Sequence, residues 1–167
     1  MAVWYHGTEK HHGALKVQTQ HTFGTGASRT PLFFSPDKAF ARMYAQGPEG
    51  VIYTARLTLK KTFSGDSLAH DDARYWPPEY DELTTVGKRL YDDLEDGKVF
   101  SDIDADDVPE TLAYIAREAY DIIETTEFKR WLKRNGYDSA YVTGDGPRNV
   151  FVFSPKQVDV IKVEPAH

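Results

Sequence analysis

The sequence predicts an α+β fold, with short strands gathered at the two ends of the chain and helices between them. Two patterns lead there. Runs of β-branched and aromatic residues open the chain at 3–6, 31–35 and 51–59, and three more close it at 139–142, 150–153 and 158–163. The clearest apolar stripe at helical spacing, Leu112, Ile115, Ala116, Ala119, Ile122 and Ile123, falls between them. The chain has 167 residues, 40% of them hydrophobic and 13% aromatic, enough for a sizeable core, so residues 1–167 are expected to form a single domain.

Taken in order, Val3, Trp4, Tyr5 and His6 form the first strand candidate. Residues 7–30 hold four glycines and six serines or threonines with little periodicity. They read as a long loop, a length that in a compact domain points to function. Pro31, Leu32, Phe33, Phe34 and Ser35 make the next strand, after which Ser35 or Asp37 can cap a short helix carrying Ala39, Phe40, Met43 and Tyr44. Gly47 and Pro48 stop it. Residues 51–59 combine partial alternation with β-branched and aromatic side chains, as a strand does. From 60 to 109 the signals thin, with Pro77 and Pro78 breaking the chain and one helix expected near 83–94. The clearest helix follows, with Asp107 and Glu110 at capping-box spacing around Pro109. Another, over 127–134, ends at Asn135 and Gly136, residues suited to a left-handed C-cap. Of the closing strands, the first two are joined by a turn at Gly144, Asp145, Gly146 and Pro147.

Composition removes several chemistries. With no cysteine there are no disulfides, thiolate zinc sites or cysteine nucleophiles, which leaves hydroxyls and carboxylates. His6, His11, His12 and His21 lack a third ligand at zinc spacing, and adjacent histidines on a strand face opposite ways, so no metal is expected. Gly24, Thr25 and Gly26 lack the lysine and hydroxyl of a phosphate loop, and no dinucleotide-fold glycine fingerprint is present. No apolar run approaches the roughly 18 residues of a membrane span, and the first residues lack a signal-peptide layout. A cytosolic site of action follows as the expectation. The net charge of −6 is uneven: residues 1–65 carry eight Lys/Arg against three Asp/Glu, residues 66–110 four against fifteen, and the rest eight against eight. A basic opening segment suits an anionic diphosphate. The acidic one disfavours nucleic acid and suits a basic partner, although a merely solvated face has the same composition.

Three places carry chemistry. In Tyr5, His6, Gly7 and Thr8, a ring nitrogen, bare backbone polar groups and a hydroxyl lie within a few residues, and glycine admits a flat ligand close to the main chain. In the second, Phe33 on a strand and Tyr44 at the end of a helix are brought toward one place. Two facing rings are a natural slot for a planar group, although an aromatic strand followed by Phe40 and Met43 also reads as plain core. The third is Asn149, which opens the strand of Val150, Phe151, Val152 and Phe153.

Together these residues resemble the His-Tyr-Glu branch of the ADP-ribosyltransferases, which includes diphtheria toxin, the poly(ADP-ribose) polymerases and many small bacterial and phage enzymes. Shared with that branch are the Tyr-His-Gly-Thr opening strand, the ungapped spacing from Leu32 to Tyr44, and the Gly136, Tyr137 and Asp138 approach to the last strands. The resemblance covers about 1–60 and 126–163 and leaves the acidic middle unmatched. It implies two small antiparallel sheets split around an NAD cleft, with an acidic, mainly helical insertion over about 66–125. It also implies roles. His6 binds a ribose hydroxyl of NAD, Gly7 holds the nicotinamide carboxamide through its backbone, Thr8 sits beside the ribose, and Phe33 and Tyr44 sandwich the nicotinamide. Ser35, at the end of the aromatic strand, is counted with these NAD contacts. Ala41 stands where many relatives have a serine that bonds the carboxamide.

The larger departure is Asn149, at the position of the family's catalytic glutamate. There the carboxylate stabilises the developing positive charge on the ribose and hydrogen-bonds its 2′-hydroxyl; asparagine keeps the hydrogen bond and loses the charge. With the strand starting at Val150, Asn149 is expected at the cleft mouth. Asp145, in the preceding turn, is an alternative carboxylate. Transfer of a single ADP-ribose to a macromolecular acceptor, a protein before a nucleic acid, is the expected activity. NAD hydrolysis and an inactive module binding NAD, ADP-ribose or a protein are the alternatives. An RNA 2′-phosphotransferase shares the fold but shows arginine and histidine anchors not found here.

Overall fold

The computed structural model describes residues 2–11, 19–21, 27–29, 32–70, 76–98, 103–117, 122, 126–142 and 146–167. It is a mixed α+β architecture with two main sheets. The first has the order β1 (Trp4–Thr8), β5 (Val51–Leu57), β9 (Val158–Pro165), with both pairs antiparallel and a register shift in β9 between the partners of Thr54 and Ala55. The second has the order β4 (Leu32–Phe34), β8 (Asn149–Val152), β7 (Ser139–Val142), β6 (Thr62–Phe63). Its β4–β8 and β8–β7 pairs are antiparallel, but β6 joins β7 in parallel, so this sheet is mixed and not antiparallel throughout. The reason is a clasp: both carboxylate oxygens of Asp138 accept backbone N–H groups, from Lys60 at 2.9 Å and Lys61 at 3.2 Å, which lays the two chains side by side. The long loop expected over 7–30 contains a short antiparallel pair, β2 (Thr19–His21) with β3 (Ala27–Arg29).

The two sheets meet through Leu32, Phe34, Val150 and Val152 of one and Ala55 of the other, with Trp4, Leu57 and Val158 packed alongside. The second sheet's opposite face, with Phe63, Ala140, Val142 and Phe151, is covered by helices α2 (Thr85–Glu95), α3 (Val108–Arg117) and α4 (Thr126–Arg134). Apolar spacing explains the docking: Leu90 and Leu94, Leu112 and Ile115, and Phe128, Trp131 and Leu132 recur three or four residues apart and are buried. Caps fix the ends. Thr84 Oγ1 accepts Gly87 N–H at 3.1 Å to open α2. Gly136 at φ +79° closes α4, with Gly136 and Tyr137 N–H donating to Lys133 and Leu132 carbonyls. α2 lies in the acidic stretch of 66–110 and α3 begins at its end; the second half of the stripe that α3 begins falls outside the described residues, except Ile122. Among the described residues no helix is long and apolar enough to cross a membrane.

Candidate functional site

The site is built where β4 passes from one sheet to the other. Ser35 directly follows β4 and exchanges two backbone hydrogen bonds with Tyr5, each 2.8 Å, which stitches β1 to the end of β4. Ser35 is fully buried, and its hydroxyl oxygen accepts Asp37 N–H at 3.1 Å. Asp37 then caps α1 (Lys38–Arg42), its Oδ1 accepting Ala39 N–H at 2.8 Å. One serine thus anchors the crossing of the sheets and the start of the helix that carries the aromatic residues.

Alternation along β1 sets the rest. The N–H and C=O of Tyr5 point at Ser35, so those of Gly7, two residues on, point the same way, into the space vacated where the chain leaves at Pro36. A backbone donor and acceptor side by side on the same strand edge match an amide. The glycine is required by packing on its other side: a Cβ there would stand 1.8 Å from the carbonyl oxygen of Ala41 and 2.8 Å from its carbonyl carbon. Strand and helix are therefore in backbone contact at this point, and Ala41 is 1% exposed with no hydroxyl to offer.

His6 and Thr8 project on the opposite face of β1. His6 Nδ1 lies 2.7 Å from the Phe33 carbonyl oxygen. A carbonyl cannot donate, so Nδ1 carries a proton, and in the neutral form of the ring Nε2 is then the acceptor, the tautomer suited to receiving a hydroxyl proton. The ring packs 5.5 Å from Phe34 and 6.0 Å from the fully buried Tyr53. Thr8 closes the strand half-buried, opposite Val51.

Phe33 and Tyr44 do come together, with ring centroids 5.7 Å apart at 57°. This is direct contact. A planar ring between them needs roughly 7 Å, two van der Waals gaps of about 3.5 Å each, so the slot is closed and opens only if Tyr44 swings out. Tyr44 is 50% exposed, which leaves it room. Phe40 is a third ring in the cluster, 6.2 Å from Phe33 and 5.7 Å from Tyr44. The sequence carries its signal in the four-residue spacing of Phe40 and Tyr44, which places both on one side of a helix turn.

Asn149 begins β8, one residue earlier than the sequence suggests, and pairs with Val142. It is fully buried and not at an open mouth. The β4–β8 register, Phe33 opposite Phe151 and Phe34 opposite Val150, brings Ser35 next opposite Asn149 and sets Asn149 on the same sheet face as Phe33. Asp145 lies outside the described residues, while Gly146 is described and touches Phe40. No group of three His, Cys, Asp or Glu side chains among the described residues could hold a metal ion.

A family model described as ADP-ribosyltransferase in polyvalent proteins matches residues 1–165. Neither the curated proteins nor the solved structures yield a significant match to the chain.

Proposed function

The chain belongs to the ADP-ribosyltransferases of polyvalent proteins, and from that premise we propose that it follows the His-Tyr-Glu branch and moves one ADP-ribose from NAD to a macromolecular acceptor in a cytosol. The observation that carries this reading is the closeness, on adjoining strands, of the Gly7 backbone edge, the His6 ring with its proton on Nδ1, the Phe33–Tyr44 pair and Asn149. The donor set fits NAD. Gly7 offers its N–H and C=O to the carboxamide, His6 Nε2 accepts from a ribose hydroxyl with Thr8 alongside, and Phe33 and Tyr44 take the pyridine ring once Tyr44 has moved. Asn149 orients the 2′-hydroxyl through its amide.

NAD supplies the ADP-ribosyl group. The bond from ribose C1′ to the pyridine nitrogen breaks, its electron pair leaving with nicotinamide. A bond from C1′ to the acceptor's nucleophilic atom forms, and the acceptor gives up a proton. The acceptor is a protein, and a basic one suits the exposed carboxylates of α2 and the turns beside it. A second reading is favoured by one observation: Asn149 is buried and uncharged where the reaction develops positive charge, which suits NAD hydrolysis at a low rate or an inactive module that binds NAD.

Incubation with NAD labelled in its adenylate half, with and without a cell lysate, separates these readings. Label on a macromolecule supports transfer, and free ADP-ribose supports hydrolysis. Unconsumed NAD with measurable binding means the inactive module.

A further inference from the structure

Phe40 has no role in the scheme above, yet it touches three parts of the site. Its ring stands at 46° to Phe33 and 54° to Tyr44, and with the Phe33–Tyr44 contact the three rings close a triangle. Such tilted pairs are the favoured arrangement of aromatic quadrupoles, so each ring limits where the others can go. The helical turn continues from Phe40 to Tyr44: Met43 N–H donates to the Phe40 carbonyl and Tyr44 N–H to the Ala41 carbonyl, each at 3.1 Å.

The ring's remaining edge meets Gly146. A Cβ added to Gly146 would lie 3.0 Å from Cε2 of Phe40, 3.5 Å from Cζ and 3.6 Å from Cδ2, the first tighter than ordinary carbon contact. Glycine lets the chain lie flat on the ring, and three residues later that chain is Asn149. Phe40 is half-buried and, among the described residues, stands outside the hydrophobic clusters that hold the sheets and helices together, reaching the largest of them only through Phe33.

We propose that Phe40 is a positioning residue of the NAD site, a role that rests on the NAD reading above: its ring, held between Gly146 and the aromatic pair, sets the geometry of the Phe33–Tyr44 slot. Its effect must then be confined to the nicotinamide end of the ligand. ADP-ribose, which lacks that ring, is held at the ribose and diphosphate and does not depend on the slot. A merely structural phenylalanine makes no such distinction.

The test measures affinities for NAD, free nicotinamide and ADP-ribose by titration, with a melting temperature for each variant. Phe40→Leu keeps bulk and removes the ring. It should weaken NAD and nicotinamide about threefold to tenfold, the loss of one ring pair. ADP-ribose should stay within about twofold, and Phe40→Tyr should restore all three affinities to that margin. Gly146→Ala pushes a methyl against the ring and should move the affinities in the same direction as Phe40→Leu. Parallel losses for all three ligands, or unchanged NAD affinity in Phe40→Leu, overturn the positioning role and leave the NAD reading standing. A wild-type chain that binds neither NAD nor ADP-ribose overturns the NAD reading, and the role of Phe40 with it.

Discussion

Replacing Gly7 by alanine tests the contact between β1 and α1 directly. The new methyl would stand 1.8 Å from the Ala41 carbonyl oxygen, 2.8 Å from the carbonyl carbon and 3.4 Å from Ala45 N. All three are backbone atoms, so no side chain can rotate away. Relief to an ordinary contact near 3.5 Å requires strand and helix to part by roughly 1.7 Å. Overpacking of this kind costs about 1–3 kcal/mol, which for a chain of this length lowers the melting temperature by about 3–10 °C. The same displacement carries Tyr44 away from Phe33 and moves the Gly7 backbone edge, and a misplacement of about 1 Å at such a site costs up to roughly a hundredfold. Gly87→Ala is the control. Its Cβ would meet the Leu68 carbonyl oxygen at 2.1 Å, a clash of similar severity in α2, a helix that carries none of the proposed NAD contacts. Thermal melts and NAD titrations of both variants should show two destabilised proteins, of which only Gly7→Ala has lost NAD affinity. Normal melting and normal binding in Gly7→Ala would refute the packing argument, and equal losses of affinity in both variants would refute the location of the site.

Other expectations follow from the same geometry. Tyr44→Phe should bind NAD nearly as wild type, whereas Tyr44→Ala should lose about threefold to tenfold by titration; with half of this ring exposed, neither should melt much differently. His6→Ala removes the acceptor Nε2 together with the Nδ1–H bond to the Phe33 carbonyl, so it should cost NAD binding about 1–3 kcal/mol and lower the melting temperature by a few degrees as well. Asn149→Glu should raise nicotinamide release, measured by chromatography, by about tenfold for each 1.4 kcal/mol of barrier removed. Because position 149 is fully buried, a carboxylate there is desolvated and its pKa pushed up, so the gain should grow as pH rises. A flat response, with loss in Asp145→Asn, would assign the charge to Asp145. Glu164, which pairs with Lys162 and with Lys38 of α1, has its carboxyl pulled down to about 2 by those two lysines. Its folded pKa lies below the usual 4.5, so its stabilisation is present above that value and disappears as pH falls toward 2. The melting-temperature gap between wild type and Glu164→Gln should close over that interval.

Elements were readable where local chemistry and tertiary packing agree. The spacing of Phe128, Trp131 and Leu132 and the glycine after Asn135 announce α4 and its end, and both follow from side chains within one or two turns. β2 and β3 were not readable, because Thr19, Gln20 and His21 and Ala27, Ser28 and Arg29 are short and mostly polar, without alternation. β6 owes its place to Asp138, far along the chain, and a two-residue strand has no period to detect. The four residues of β8 are all buried, being covered on both faces, so alternation could not fix where the strand starts. At the site, the spacing of His6, Phe33, Tyr44 and Asn149 could be read from the sequence. The backbone contact of Gly7 with Ala41, the third ring at Phe40 and the closed state of the Phe33–Tyr44 pair could not. These are matters of an ångström or two, set by how α1 leans on β1.

The most direct test of a single NAD site at the crossing of the sheets is a nicotinamide titration followed by amide and aromatic NMR. Signals of Gly7 N–H and of the Phe33 and Tyr44 rings should shift together along one binding curve, while Gly87, in α2, stays still. Saturable shifts elsewhere, with Gly7 and Tyr44 unmoved, would contradict the account.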